Sequence, residues 1–241
     1  MQTYNSMLKR SGFSLVELSI VLVILGLLTG GILSGQALIR AAELRSISTD
    51  AHRFVSSFMQ FRDKYLGIAG DLPNAYVFWG TTVGCTDVHS NVDPEGCNGN
   101  GDGRSLRNVV LNQGETSRAW QHLQLAGLIE GSYSGKRGVE PDRPKGRLVN
   151  SVWGFSWYGS AHGWAGPSFS SHQFYFSGGN LRPEEAWGID QKMDDGRPGK
   201  GRVVTNATND GGSCVTGTNP SSDEYALQNS AGICHLIFSV E

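Results

Sequence analysis

From Phe13 to Leu33 the chain runs through 21 residues whose only ionisable side chain is Glu17. As a helix this run spans about 31 Å at roughly 1.5 Å per residue, enough to cross a bilayer. The pattern then changes without a break. In QALIRAAELRSISTDAHRFVSSFMQFRDKYLGI, the apolar positions Leu38, Ala41, Ala42, Leu44, Ile47, Ala51, Val55, Phe58, Met59 and Phe61 fall at threes and fours, which is helical spacing. No proline stands between Phe13 and Leu66. The pattern therefore predicts one helix over 13–66, about 80 Å long, half of it apolar all round and half with one face to bury. Gly26, Gly30, Gly31 and Gly35 are poor helix positions, and local melting or a bend is expected near Gly30-Gly31.

After residue 66 the pattern becomes that of a folded head. GDLPNA (70–75) is a helix stop or turn, and a loop rich in Gly, Asn and Asp follows to about Asn112. ETSRAWQHLQLAGLIEG places Trp120, Leu123, Leu125, Leu128 and Ile129 at near-helical spacing and stops at Gly131, which predicts a second helix. GRLVNSVWGFSWYG, HQFYFSGG, KGRVVTNA and ICHLIFSVE are four strand candidates, rich in β-branched and aromatic residues. Between them RPEEAWGIDQKMDDG reads as a short helix, with Pro183 at its first position, Glu184 and Glu185 in its first turn and Gly196 past its end. The fold class is α+β: a mostly antiparallel sheet packed on the outer half of the first helix. Trp153, Phe155, Trp157, Phe174 and Phe176 are then core rather than a carbohydrate or nucleobase platform.

Charge adds one direction and removes several partners. Lys9 and Arg10 precede the apolar run with no acid beside them, so the positive-inside tendency keeps residues 1–12 in the cytoplasm and sends the body out. The net charge of −2 offers no basic excess for nucleic acid. The most basic stretch, Lys136, Arg137, Arg143, Lys145 and Arg147, is interrupted by Glu140 and Asp142. Neither a G-x-S-x-G, an H-E-x-x-H, a P-loop nor a dinucleotide fingerprint occurs, the six histidines are scattered, and the pairs Glu184-Glu185 and Asp194-Asp195 are adjacent without implying opposed geometry. No enzymatic activity and no catalytic residue are expected.

The segment RSGFSLVEL resembles the type IV prepilin signature: a short basic leader ending in Gly12, then Phe13, and a glutamate, Glu17, at the fifth position after the step. The resemblance covers about residues 8–40. It implies cleavage between Gly12 and Phe13 by a membrane prepilin peptidase, and methylation of the new amino group of Phe13. It also implies that the Glu17 carboxylate of one subunit neutralises the amine of its neighbour. A lone carboxylate in lipid is costly and a paired one tolerable, which makes Glu17 an assembly device. The implied layout is a leader 1–12, a long helix 13–66 with its transmembrane and assembly segment at about 13–33, and an extracytoplasmic pilin-like head 67–241. The implied place is a bacterial inner membrane, crossed once, and then a pilus or a periplasmic pseudopilus. The implied partners are other pilin or pseudopilin subunits, inner-membrane assembly machinery and membrane lipid.

Two other readings compete. A secretory signal peptide would be cut after the apolar run, where Gly30, Gly31, Ser34 and Gly35 are weak small-residue candidates. A single-span anchored binding domain, calcium-dependent or not, would share the outward head and never polymerise. Many major pilins carry a proline in the first helix where this chain has none, so filament geometry does not transfer. Within the resembling class the chain could be a major pilin, a minor tip pilin or a pseudopilin.

Cys85, Cys97, Cys214 and Cys234 in an exported body predict two disulfides, with three pairings open. Local closure favours Cys85 with Cys97 and Cys214 with Cys234, and the second resembles the C-terminal disulfide-bounded loop of many type IV pilins. In CNGNGDGR, Asn98, Asn100 and Asp102 at alternate positions before Gly103 match the first half of a Ca2+ loop. The twelfth position is Val109, so Glu115 or another segment would have to complete it; a plain Asn-Gly and Asp-Gly turn loop is the competing reading. Asp190, Asp194 and Asp195 form a weaker acidic group.

Overall fold

The computed structural model describes residues 12, 14–80, 97–106, 114–136, 138–158, 171–205, 214–217 and 222–240. Helix α1 is Leu15–Tyr65, α2 Ala75–Trp79, α3 Glu115–Leu125 and α4 Pro183–Met193; the strands are β1 Val152–Tyr158, β2 Ser171–Ser177, β3 Val203–Thr205 and β4 Leu236–Ser239. Two compact units divide the chain, one ending at Ala42 and one beginning at Glu43.

The first unit is the apolar start of α1. Its side chains are open, with Leu15 84% and Leu27 73% exposed. Local melting at Gly30-Gly31 does not occur: α1 is helical through Gly26, Gly30, Gly31 and Gly35. Glycine weakens a helix by about 1 kcal/mol but does not by itself break its hydrogen-bond ladder.

In the second unit, Ile47, Ala51, Phe54, Phe58 and Phe61 of α1 are buried, at alternating steps of four and three. This is a single seam. Phe54 stacks on Phe174 and meets the rings of Trp120 and Trp153 edge-on, at centroid distances of 5.8, 4.9 and 5.2 Å. Phe58 packs on Phe155 at 5.1 Å. The four strands form one sheet, every pair antiparallel, in the order β1-β2-β4-β3. Register partners Trp153↔Phe176 and Phe155↔Phe174 put their side chains on the face towards α1, as the two-residue period requires. Gly154↔Tyr175 fall on the opposite face. The Tyr175 ring lies so close over Gly154 that a Cβ there would sit 1.8 Å from it.

Trp157 departs from the expected core. It is half-buried, and the Arg104 guanidinium lies over its ring at 4.6 Å. Trp157 is near the end of β1, where the sheet runs out and a loop cation covers the ring instead. Cys214 and Cys234 form a disulfide, and Cys97 is disulfide-bonded as well, while Cys85 lies outside the described residues.

Candidate functional site

Two places carry the sequence-derived candidates. At the N-terminal one, Gly12 is exposed and Phe13 lies outside the described residues. Glu17 sits in the first turn of α1. The segment Ser14-Leu15-Val16-Glu17 has the S-x-x-E form of a capping box, and half of that box is made: the Ser14 backbone N–H donates to Glu17 Oε2 at 2.8 Å. Glu17 Oε1 accepts no hydrogen bond among the described residues. In the single chain, then, the carboxylate has a local partner at the positive end of its own helix and one oxygen to spare. This capping role is visible in the sequence as S-x-x-E.

The second place is in the head, where three separated segments meet. The CNGNGDG loop is wrapped around Asp71 of GDLPNA: Gly101 and Gly103 N–H donate to Asp71 Oδ1 and Oδ2 at 2.7 and 2.8 Å, with Asp102 N–H also on Oδ1 at 3.2 Å. Glu115, the first residue of α3, takes Asn100 N–H on Oε1 at 3.0 Å and Leu106 N–H on Oε2 at 3.1 Å. His122, on the next turns of α3, fastens the same two segments. Its Nδ1 accepts from Gly70 N–H at 2.9 Å, and its Nε2 lies 2.9 Å from the Cys97 carbonyl, which fixes the neutral ring with the proton on Nε2.

Asp71, Glu115 and His122 are displaced from their ordinary titration. Burial pushes the Glu115 carboxyl up to about 7 against the pull of its two N–H donors, and Asp71 is raised for the same reason. Burial pushes His122 down to about 4.

Carboxylate oxygens of Asp71, Asp102 and Glu115 lie within 4.8 Å of one another, so these are the residues that could offer oxygens to a hard cation. Asp102 of the sequence-derived trio is one of these carboxylates. Asn100 borders the group, its amide donating to Asp102 Oδ2 at 3.2 Å, while Asn98 is fully buried with its Oδ1 on the Tyr76 N–H at 2.8 Å. Glu115 does fold in, and the further segment is Asp71, which local pattern reads only as a turn residue.

The second acidic group holds α4 to its surroundings. Asp190 Oδ2 accepts the Tyr225 hydroxyl at 2.8 Å, and burial raises the Asp190 carboxyl to about 7. Asp194 Oδ2 accepts the N–H groups of Arg202 and Val203. Tyr225 lies between Cys214 and Cys234, so this hydrogen bond ties the disulfide loop to α4.

A family model described as the prokaryotic N-terminal methylation motif matches residues 7–33. Glu17 and the Gly12-Phe13 step lie inside the match. No curated protein and no solved structure matches the chain.

Proposed function

We propose that this chain, which carries the prepilin signature of type IV pilins and pseudopilins, is made as a precursor and works as a structural subunit of a type IV pilus or related secretion filament. The observation that supports this reading is the placement of Glu17. It is the one ionisable residue of the apolar run, in the first turn of a helix long and apolar enough to cross a membrane by length and composition. The helix and the motif together point to a single-pass membrane anchor, and Lys9 and Arg10 favour an orientation with the head outside.

In the proposed cycle, prepilin peptidase cuts between Gly12 and Phe13 and the new amine is methylated. The exposed apolar face of α1 then exchanges lipid for neighbouring copies. Glu17 keeps the Ser14 N–H on Oε2 and presents Oε1 to the cationic amine of the next subunit. A charge pair in lipid is far cheaper than either charge alone, so subunits in the wrong axial register are penalised.

The test separates pairing from capping. Glutamine at the third helical position preserves a capping box but removes the charge. With the cognate assembly machinery present, Glu17→Gln and Glu17→Ala are both expected to insert in the membrane. Both should fall at least about tenfold in the sheared filament fraction, a loss equivalent to roughly 1.4 kcal/mol per contact. Wild-type incorporation of Glu17→Gln would show that Glu17 only starts the helix and would remove the assembly role.

A further inference from the structure

We propose that Asn100 is a latent modification site, an Asn-Gly step whose conversion to aspartate or isoaspartate is held off by the Asp71 carboxylate. Asn-Gly steps are the readiest to change in this way, because glycine sets no side chain beside its own amide nitrogen. The chain's two such steps, Asn98-Gly99 and Asn100-Gly101, both lie in the CNGNGDG loop. The fold demands glycine at each. A Cβ on Gly99 would lie 2.3 Å from the Asp71 backbone, and Gly101 has a φ of +74° with Pro73 3.1 Å from the place of its Cβ. The loop thus carries a chemical liability that substitution of either glycine would remove only at the expense of its packing.

In the reaction the Gly101 nitrogen gives up its proton and attacks Asn100 Cγ. The new N–C bond closes a succinimide ring as the Cγ–Nδ2 bond breaks and ammonia leaves. Water then opens the ring at one carbonyl to give aspartate, or at the other to give isoaspartate, whose backbone runs through the former side chain. The groups this needs are engaged. Gly101 N–H donates to Asp71 Oδ1 at 2.7 Å and to the Asp71 carbonyl at 3.1 Å. The Asn100 amide is turned to residue 102, with Nδ2 donating to Asp102 Oδ2 at 3.2 Å and Oδ1 accepting Asp102 N–H at 2.9 Å. A carboxylate is far too weak a base to take a backbone amide proton, so the Asp71 contact holds the nitrogen rather than activating it.

The other step differs in access. Gly99 N–H is on the Leu72 carbonyl at 2.9 Å, Asn98 Oδ1 holds the Tyr76 N–H at 2.8 Å, and Asn98 is fully buried, away from the water that ring opening consumes. Asn100 is exposed. Local opening of the loop therefore releases Asn100 first. Its product does not fit the closed loop: an anionic oxygen would replace the Nδ2 that donates to Asp102 Oδ2, beside the carboxylates of Asp71 and Glu115, and like charges so close repel. Opening is reversible until the ring forms and one-way afterwards, so the modified residue is a lasting mark that the loop has opened.

The experiment incubates the full chain in detergent at mildly alkaline pH, folded or unfolded in urea. Peptides are mapped for the amide-to-acid mass increment at Asn98 and Asn100, and amide hydrogen exchange of Gly101 is followed in the folded sample. Folded Asn100 is expected to convert at least about tenfold more slowly than in urea, and to be slowed at least as much as Gly101 exchange, since both need that nitrogen free. Asn98 should be slower still. Asp71→Asn should speed Asn100 at least about tenfold and leave Asn98 slow, so that Asn98 reports whether the variant keeps its fold. If the variant releases both sites together, the comparison of Asn100 with Gly101 in the unaltered chain decides. Conversion of Asn100 as fast in the folded chain as in urea, free exchange of Gly101, or an unchanged Asn100 rate in folded Asp71→Asn would overturn the proposal.

Discussion

At Gly99 a single absent methyl group decides how the head closes. A Cβ there would lie 2.3 Å from the Asp71 backbone, with no flexible side chain to yield. Gly99→Ala should therefore push the CNGNGDG loop off the GDLPNA turn and cost about 1–3 kcal/mol in thermal unfolding of the full chain. Gly103→Ala is the control: its φ of +82° strains alanine, yet nothing lies within 4 Å of the new atom, so about 1 kcal/mol or slightly more is expected. Equal losses would mean that the backbone approach at Gly99 is unimportant. Neither Asp71 nor His122 announces its role in the sequence. Their partners lie 30 and 52 residues away, at Gly101 and Gly70, and local pattern sees only a turn and one more scattered histidine. Glu17 is the opposite case, since both of its signs, S-x-x-E and the fifth-position carboxylate, are local.

The elements themselves were largely legible because each follows a short-range rule. The absence of proline and the spacing of threes and fours mark α1, Pro183 and two acids mark the start of α4, and alternating aromatic and β-branched residues mark all four strands. The stripe traced along α1 nevertheless passed over Phe54, the residue that touches Trp120, Trp153 and Phe174. Phe54 completes the spacing of fours and threes from Ile47 to Phe61, so the period held it, and neighbouring Val55 drew the stripe aside. Strand order was not legible at all. β4 inserts between β2 and β3, a pairing across more than 50 residues on the β2 side that no local pattern encodes. The same holds for the clasp, which needs α3 to bring Glu115 and His122 to two loops at once.

Four buried groups make the largest contributions to the pH response of the head. Glu115 and Asp190 are raised to about 7 from 4.5 and 3.8, while His122 and His172 are lowered to about 4 from 6.5, in each case chiefly by burial. A raised carboxyl binds more protons folded than unfolded, so its contribution is lost as pH rises through about 7. A lowered imidazole binds fewer, so its contribution is lost as pH falls from 6.5 towards 4. Between about 4.5 and 6.5 the two kinds oppose one another, with Asp71 and Asp50, also raised by burial, adding to the carboxyl side. The melting temperature of the full chain should therefore not rise between pH 5 and 8, and Glu115→Gln should reduce the fall towards pH 7. A monotonic rise from pH 5 to 8 would contradict the burial of these carboxyls.

The central claim is that the chain is a processed, membrane-anchored filament subunit. The most direct measurement is the intact mass and N-terminal sequence of the protein extracted from its native membrane. A chain beginning at Phe13 and heavier by one methyl group is the expected result. A chain that keeps residues 1–12, or one cut after the apolar run, would contradict the account.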